Sequence, residues 1–232
     1  MSRILGVIGG LGPMATAYFM ELLVSKTDAG CDKDHIETII HSCPQIPDRT
    51  SYILDNSNPD PYPDLLRIGK ELKYLGASVI AIPCITARIF KERLTEELGI
   101  PVIYGVDETA KRLFSSGIKK AGIMATDGSL KAGILGGVLE DHNVTPVFPD
   151  PEYQKEVMAL IYDEVKAGIV PDIDRFNRIR EHLRSKGAEV FILGCTELSL
   201  VKRYHDLPAD CFDILEVLAE ESVRSCEGKI KG

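Results

Sequence analysis

Short apolar runs alternate along this chain with longer stretches of helical period. Residues 4–8 are apolar and too brief for a helix, and they end at Gly9-Gly10-Leu11-Gly12-Pro13. Helical spacing follows over 14–24, with Pro13 suited to a first helical turn because its missing N–H is not needed there. The β-branched run 37–42 predicts a second strand, leading into a Pro-rich loop over 44–50. Residues 63–75 read as an amphipathic helix opening on a proline, 79–82 as a buried strand, 87–97 as a helix and 101–104 as a strand. The second half repeats the scheme, with strands at 121–125, 144–147 and 190–193 and helices at 153–167 and 173–185. Short apolar strands alternating with helices of ten or more residues predict an α/β fold, a parallel sheet with helices on both faces.

The halves also resemble each other. Gly76-Ala77-Ser78-Val79-Ile80-Ala81-Ile82-Pro83-Cys84 matches Gly187-Ala188-Glu189-Val190-Phe191-Ile192-Leu193-Gly194-Cys195 at an offset of 111, which also maps Ile68 onto Ile179 and Leu72 onto Leu183. Leu5-Gly6-Val7-Ile8 matches Ala121-Gly122-Ile123-Met124 at an offset of 116, each followed by a glycine-containing loop. The expectation is two pseudo-symmetric α/β halves, each a short parallel sheet flanked by helices, with the active site in the cleft between them. One half comprises 1–105 plus 208–232 and the other 106–207.

Composition narrows the function classes. The 232 residues carry a formal charge of −8, with 44% hydrophobic and 27% charged residues, those of an ordinary globular protein. No basic excess is available to neutralise phosphates, which argues against a nucleic-acid partner. No apolar run approaches the roughly 18 residues of a membrane helix. Residues 4–11 are too short and too Gly-rich for a signal-peptide core, so the expected compartment is the cytoplasm. Six cysteines (31, 43, 84, 195, 211 and 226) form no C-x-x-C pair, and the histidines do not join them at metal-ligand spacing. No metal is therefore expected, and Cys31, Cys43, Cys211 and Cys226 read as free thiols acting as small apolar side chains.

Cys84 and Cys195 differ from those four by position. Ligands of open α/β sheets sit outside the carboxyl ends of the strands, and both cysteines fall there, just before a predicted helix. The N–H groups and dipole of a helix start favour negative charge, which predicts a thiol pKa below about 8.5. Two thiols at matching strand ends suit a reaction that removes a proton from one face of a substrate and returns it to the other. The hydroxyls of Thr86 and Thr196 stand where they would cap a helix or bind a carboxylate.

Ile82-Pro83-Cys84-Ile85-Thr86-Ala87, Leu193-Gly194-Cys195-Thr196-Glu197-Leu198, Ile8-Gly9-Gly10-Leu11-Gly12-Pro13 and Ile46-Pro47-Asp48-Arg49-Thr50 together resemble the aspartate/glutamate racemase family, over essentially the whole chain. Glu197 and the Gly9-Gly10 pair stand where glutamate racemases usually carry a histidine and an Asp-Ser pair, so the resemblance is closer to the aspartate racemase branch. It implies a cofactor-independent, two-base amino-acid racemase, and a homodimer. One cysteine, as thiolate, removes the α-proton, and the other, as thiol, protonates the opposite face. Arg49 is the residue implied to meet the substrate side-chain carboxylate, and Lys166 is implied to have a similar role. Thr126 and Ser129 are implied donors to the α-carboxylate, and Thr86, Thr196 and Glu197 complete the substrate-binding set.

The chain also departs from the family pattern. Ile85-Thr86-Ala87-Arg88 replaces the common Asn-Thr-Ala-His, Ser42 replaces an asparagine, and Ala125-Thr126 with Ser129 replaces Gly-Thr-x-Gly-Thr. These differences bear on the substrate, while both cysteines remain. Two alternatives stand beside the racemase. One is a related cysteine-dependent isomerase or decarboxylase of dicarboxylates, similar to maleate isomerases. The other is a non-catalytic carboxylate-binding protein.

Overall fold

The computed structural model describes residues 3–231. It divides into two compact units, one running up to Gly105 and resuming at Leu215, the other spanning Val106–Ile214. The return to the first unit comes a few residues later than the 208 expected from the sequence. The cause is a strand, Cys211–Asp213, that pairs with the second unit's sheet before the chain crosses back.

The first unit holds β1 (Ile4–Gly9), β2 (Thr38–Ser42), β3 (Ala77–Ala81) and β4 (Val102–Ile103), in the order β2-β1-β3-β4. Every pairing is parallel. Leu5, Val7 and Ile8 are all fully buried. A strand with no polar face belongs in a parallel sheet covered on both sides, which is why an unbroken apolar run reads as this architecture. The helix Tyr62–Tyr74 buries Leu65, Ile68 and Leu72 at spacings of three and four. On its outer side Arg67 bridges Asp64 at 3.1 Å and Glu71 at 2.9 Å. Each such buried aliphatic side chain stabilises the fold by about 1.5–3 kcal/mol before ordering entropy is counted.

The second unit holds β5 (Lys120–Met124), β6 (Thr145–Val147), β7 (Val190–Leu193) and β8 (Cys211–Asp213), in the order β6-β5-β7-β8 and again all parallel. Phe176, Ile179 and Leu183 on the helix Ile173–Ser185 are fully buried in one cluster with Met124, Leu160 and Phe191. The two sheets thus share one strand order, with β1 and β3 of the first corresponding to β5 and β7 of the second. The expected α/β class, two parallel sheets flanked by helices, is the observed one.

Three local differences matter for the site. The helix predicted over 153–167 is α-helical only through Pro151–Ala159, and Leu160–Val165 forms a π-helix. There the Lys166 N–H donates to Ile161 O at 3.0 Å and the Ile169 N–H to Glu164 O at 2.9 Å, each five residues back. A π-segment re-phases the residues after it and is common at functional sites. After Cys84 the chain forms a 3-10 helix, Ile85–Phe90, before the α-helix Lys91–Leu98. After Cys195 no helix begins until Ser199, and a turn closes instead, with Leu198 N–H on Cys195 O at 2.9 Å. Neither cysteine therefore sits directly at the start of a long α-helix.

Candidate active site

In the first unit β1 ends in a tight glycine loop. Gly10 has φ +90°, and a Cβ there would stand 2.4 Å from the Cys43 carbonyl carbon, so only glycine fits. Its N–H donates to Thr16 Oγ1 at 2.9 Å, and Thr16 donates in turn to Gly12 O at 3.0 Å. Arg49 joins this loop to the neighbouring segment. It opens a short helix, Arg49–Leu54, and does not lie in the loop expected from Pro44 to Thr50; Asp48 caps that helix by accepting from Ser51 N–H. The Arg49 side chain is buried, and it donates to Pro47 O at 2.8 Å, Leu11 O at 3.1 Å and Ile46 O at 3.3 Å. These contacts hold the guanidinium in one orientation.

Cys84 lies three residues past β3 and is buried. Its Sγ stands 3.3 Å from Thr86 Oγ1, so the hydroxyl expected to cap a helix or bind a carboxylate lies against the thiol instead. Ile85, Ala87 and Phe90 are buried around this turn. Tyr104 follows β4 in the same buried cluster as Cys84. In the sequence Tyr104 looks like the last apolar position of a strand, although it stands at a strand's carboxyl end.

The second unit assembles more of its expected residues. Cys195 lies two residues past β7, after Gly194. A Cβ on Gly194 would stand 2.6 Å from Leu135 Cδ1 and 2.8 Å from Met124 O, so the approach of β7 to β5 needs glycine. The turn over 196–198 folds Glu197 back on the thiol, and Cys195 Sγ donates to Glu197 Oε2 at 2.8 Å. Thr196 Oγ1 donates to the same oxygen at 3.4 Å. Lys166 Nζ stands 4.0 Å from Glu197 Oε1 and 4.3 Å from the centroid of the Tyr162 ring. The π-helix that delivers Lys166 is anchored by Glu164, which accepts from Asp172 N–H at 2.7 Å and pairs with Arg175.

Thr126 and Ser129, expected in a loop, lie on the short helix Asp127–Lys131. Thr126 is its cap and accepts from Ser129 N–H at 3.2 Å. The Ser129 Oγ is buried and has no hydrogen-bond partner among the described residues. The same holds for Glu197 Oε1 and for the Tyr104 hydroxyl.

The electrostatics correct the expected thiol pKa. Burial, and after it the Glu197 carboxylate, push the Cys195 thiol well above its ordinary value, with Lys166 opposing them. The helix-start field expected to lower it is absent, since the residues after Cys195 form a turn, and a buried thiolate beside a carboxylate is doubly disfavoured. Cys195 therefore holds its proton at neutral pH and presents it toward Glu197. Tyr104 is likewise pushed up, by burial first, then by the Cys84 and Glu92 charges, with Arg88 opposing.

The family model described as Asp/Glu/Hydantoin racemase matches residues 8–221. RacX of Bacillus subtilis (strain 168), a broad specificity amino-acid racemase, is 24% identical over 225 residues, covering 94% of this chain and 96% of that protein. The structure of a Picrophilus torridus aspartate racemase is similar at a TM-score of 0.80 and 30% identity, covering 99% of this chain and 96% of that one. A glutamate racemase of Thermus thermophilus, in complex with beta-chloro-D-alanine, shares the fold. Its TM-score is 0.67 at 19% identity, over 97% of this chain and 80% of that one.

Proposed function

The chain belongs to the Asp/Glu/Hydantoin racemase family and is an isomerase of the Asp/Glu racemase type, and from that premise we propose that it interconverts L- and D-aspartate by a cofactor-independent, two-base reaction. Cys84 and Cys195 are the two bases. As thiolate, Cys84 removes the α-proton of one enantiomer, forming its S–H bond as the C–H bond breaks. Cys195 gives up its thiol proton to the opposite face, its S–H breaking as the new C–H forms. The reverse exchange serves the other enantiomer. No redox change occurs, and the second thiol's proton replaces the one removed.

The observation that carries this reading is the Cys195–Glu197 contact at 2.8 Å. It supports a resting state in which Cys195 is the acid, which leaves the matching strand-end thiol, Cys84, to act as base. The carbanion is the costly species, and directed donors must hold its charge. We assign Ser129, whose hydroxyl is buried without a hydrogen-bond partner, and Thr126 to the α-carboxylate. Arg49 and Lys166 are assigned to the side-chain carboxylate.

The Picrophilus torridus neighbour supports aspartate as substrate. Ile85, an apolar branched side chain beside Cys84, supports a second reading in which the range is wider, as the name of the Bacillus subtilis relative says of that protein. The resemblance also carries a homodimer, which sedimentation would show as twice the 25.5 kDa chain mass. The deciding experiment incubates the protein in D₂O with a panel of L-amino acids, followed by mass and chiral analysis. The expected result is deuterium at the α-carbon together with the D-enantiomer, fastest for aspartate. Racemisation of many amino acids at like rates would favour the second reading, and no exchange with any of them would overturn both.

A further inference from the structure

Two tyrosines stand among the buried residues of the cluster around Cys84, Tyr62 and Tyr104. Tyr62 spends its hydroxyl on Glu97 at 2.6 Å. The Tyr104 hydroxyl is buried and finds no hydrogen-bond partner among the described residues. An unpaired buried hydroxyl is costly, and phenylalanine would fill the same volume without that cost. Such an oxygen is explained most simply by a partner that arrives from outside the fold.

Its position says what that partner is. β3 and β4 pair in parallel with Ile80 beside Val102 and Ala81 beside Ile103, a register that brings Tyr104 level with Ile82 and two residues short of Cys84. The titratable and charged groups acting on Tyr104 are Cys84, Glu92 and Arg88. Burial and the two negative groups keep its proton in place, so the phenol is only ever a donor toward an anion. Ile85, the residue after Cys84, offers no donor from its side chain.

We propose that the Tyr104 hydroxyl is a catalytic donor of the Cys84 half of the site, hydrogen-bonding an α-carboxylate oxygen of the amino acid as the carbanion's charge spreads onto it. The assignment rests on the racemase reading for its substrate, and on the buried, unpartnered hydroxyl for its location. A donor used chiefly in the transition state acts on kcat more than on KM.

The test is Tyr104→Phe in the full chain, with three readouts: the melting temperature, kcat and KM for aspartate racemisation, and the rise in melting temperature given by saturating L-aspartate. We expect a melting temperature equal to or above that of the parent, kcat lower by on the order of a hundredfold, KM raised by a smaller factor because the donor also meets the bound carboxylate before the reaction, and hence a smaller rise with aspartate. A loss of kcat below about tenfold overturns the proposal. So does a lower melting temperature without ligand, because the oxygen would then have a partner within the fold. Should the parent protein exchange no α-proton, the racemase reading falls by itself. The aspartate-induced melting shift then decides: a shift reduced in Tyr104→Phe supports the donor, and an equal or absent shift overturns it.

Discussion

Cys84 and Cys195 stand past equivalent strands of two sheets with the same order, yet their surroundings differ in charge. Beside Cys84 the neutral hydroxyl of Thr86 stands at 3.3 Å, among buried Ile85, Ala87 and Phe90. Around Cys195 a carboxylate accepts the thiol proton at 2.8 Å, and an ammonium stands 4.0 Å from that carboxylate's other oxygen. The duplicated topology thus determines where a thiol can stand, and the next few residues determine whether it keeps its proton. Matching strand ends have been made unlike by the turn that follows each one, a 3-10 helix in one unit and a tight turn over 196–198 in the other.

The sharpest way to break the comparison is to remove each thiol separately. Cys84→Ala and Cys195→Ala should each lower racemisation by at least about a thousandfold. The two variants should differ in what survives. With one base left, α-proton exchange with solvent can persist for a single enantiomer, and the enantiomer should switch between the variants. Deuterium incorporation measured separately from L- and D-aspartate checks this. Either single variant racemising at near-normal rate would sink the two-base assignment.

Arg49 and Lys166 extend the comparison to the cations. Arg49 is held by three backbone carbonyls, whereas Lys166 stands near one carboxylate and over the Tyr162 ring. A lysine at position 49 reaches at most some of the carbonyls and lacks the planar fork that orients a carboxylate. Arg49→Lys should therefore cost about 2–4 kcal/mol of stability, from buried acceptors left unpaired, and raise KM for aspartate about tenfold, the worth of one charge-assisted hydrogen bond. Urea unfolding and initial rates measure the two effects. A variant with parental stability would show that the three contacts hold nothing in place.

Glu197→Gln isolates the proton on Cys195. Its thiol is raised, so the group serves as acid from low pH upward and is lost as pH climbs through the raised value. Glutamine keeps the acceptor and removes the charge, so the alkaline limb of the rate profile should move to lower pH. Burial, the larger cause, remains, so the limb should not fall below the ordinary thiol range. A shift of about one pH unit corresponds to about a tenfold change in thiolate fraction at a given pH. An unmoved alkaline limb would mean that Glu197 does not act on Cys195.

Much of this was legible in the chain because apolar period and burial coincide. The strand Val190–Leu193 and the helix Ile173–Ser185 carry clean patterns and lie where those patterns place them. The helices Asp127–Lys131 and Ile134–Asp141 were not legible, since Gly128, Gly133, Gly136 and Gly137 interrupt the helical period. β8 was missed because its three residues are too few for any alternation to register. Strand-end logic singles out both thiols, Glu197 enters only through the family resemblance, and the fold brings Thr196 and Glu197 together at the Cys195 thiol. That logic erred on the field at Cys195, because a helix start and a turn look alike in Thr196-Glu197-Leu198, and only the fold shows the carboxylate turned back on the sulfur. Burial of Arg49 was hidden by its charge and by the prolines before it.

The smallest expected effect separates capping from catalysis at two short helices, one in each unit. Asp48 caps the helix Arg49–Leu54 and Thr126 caps Asp127–Lys131, each accepting a backbone N–H from three residues on. Either lost cap should cost about 1 kcal/mol, a fall of roughly 2–4 °C in melting temperature for a chain of this size. Asp48 is exposed at its cap contact and is assigned no substrate contact, so Asp48→Ala should leave kcat within about twofold, the scatter expected away from a reacting group. Thr126→Val removes the same kind of cap from a residue assigned to the α-carboxylate, so its melting temperature should fall equally while kcat falls further. Equal kinetics in the two variants would reduce Thr126 to a structural cap and leave Ser129 as the α-carboxylate donor of the Cys195 unit.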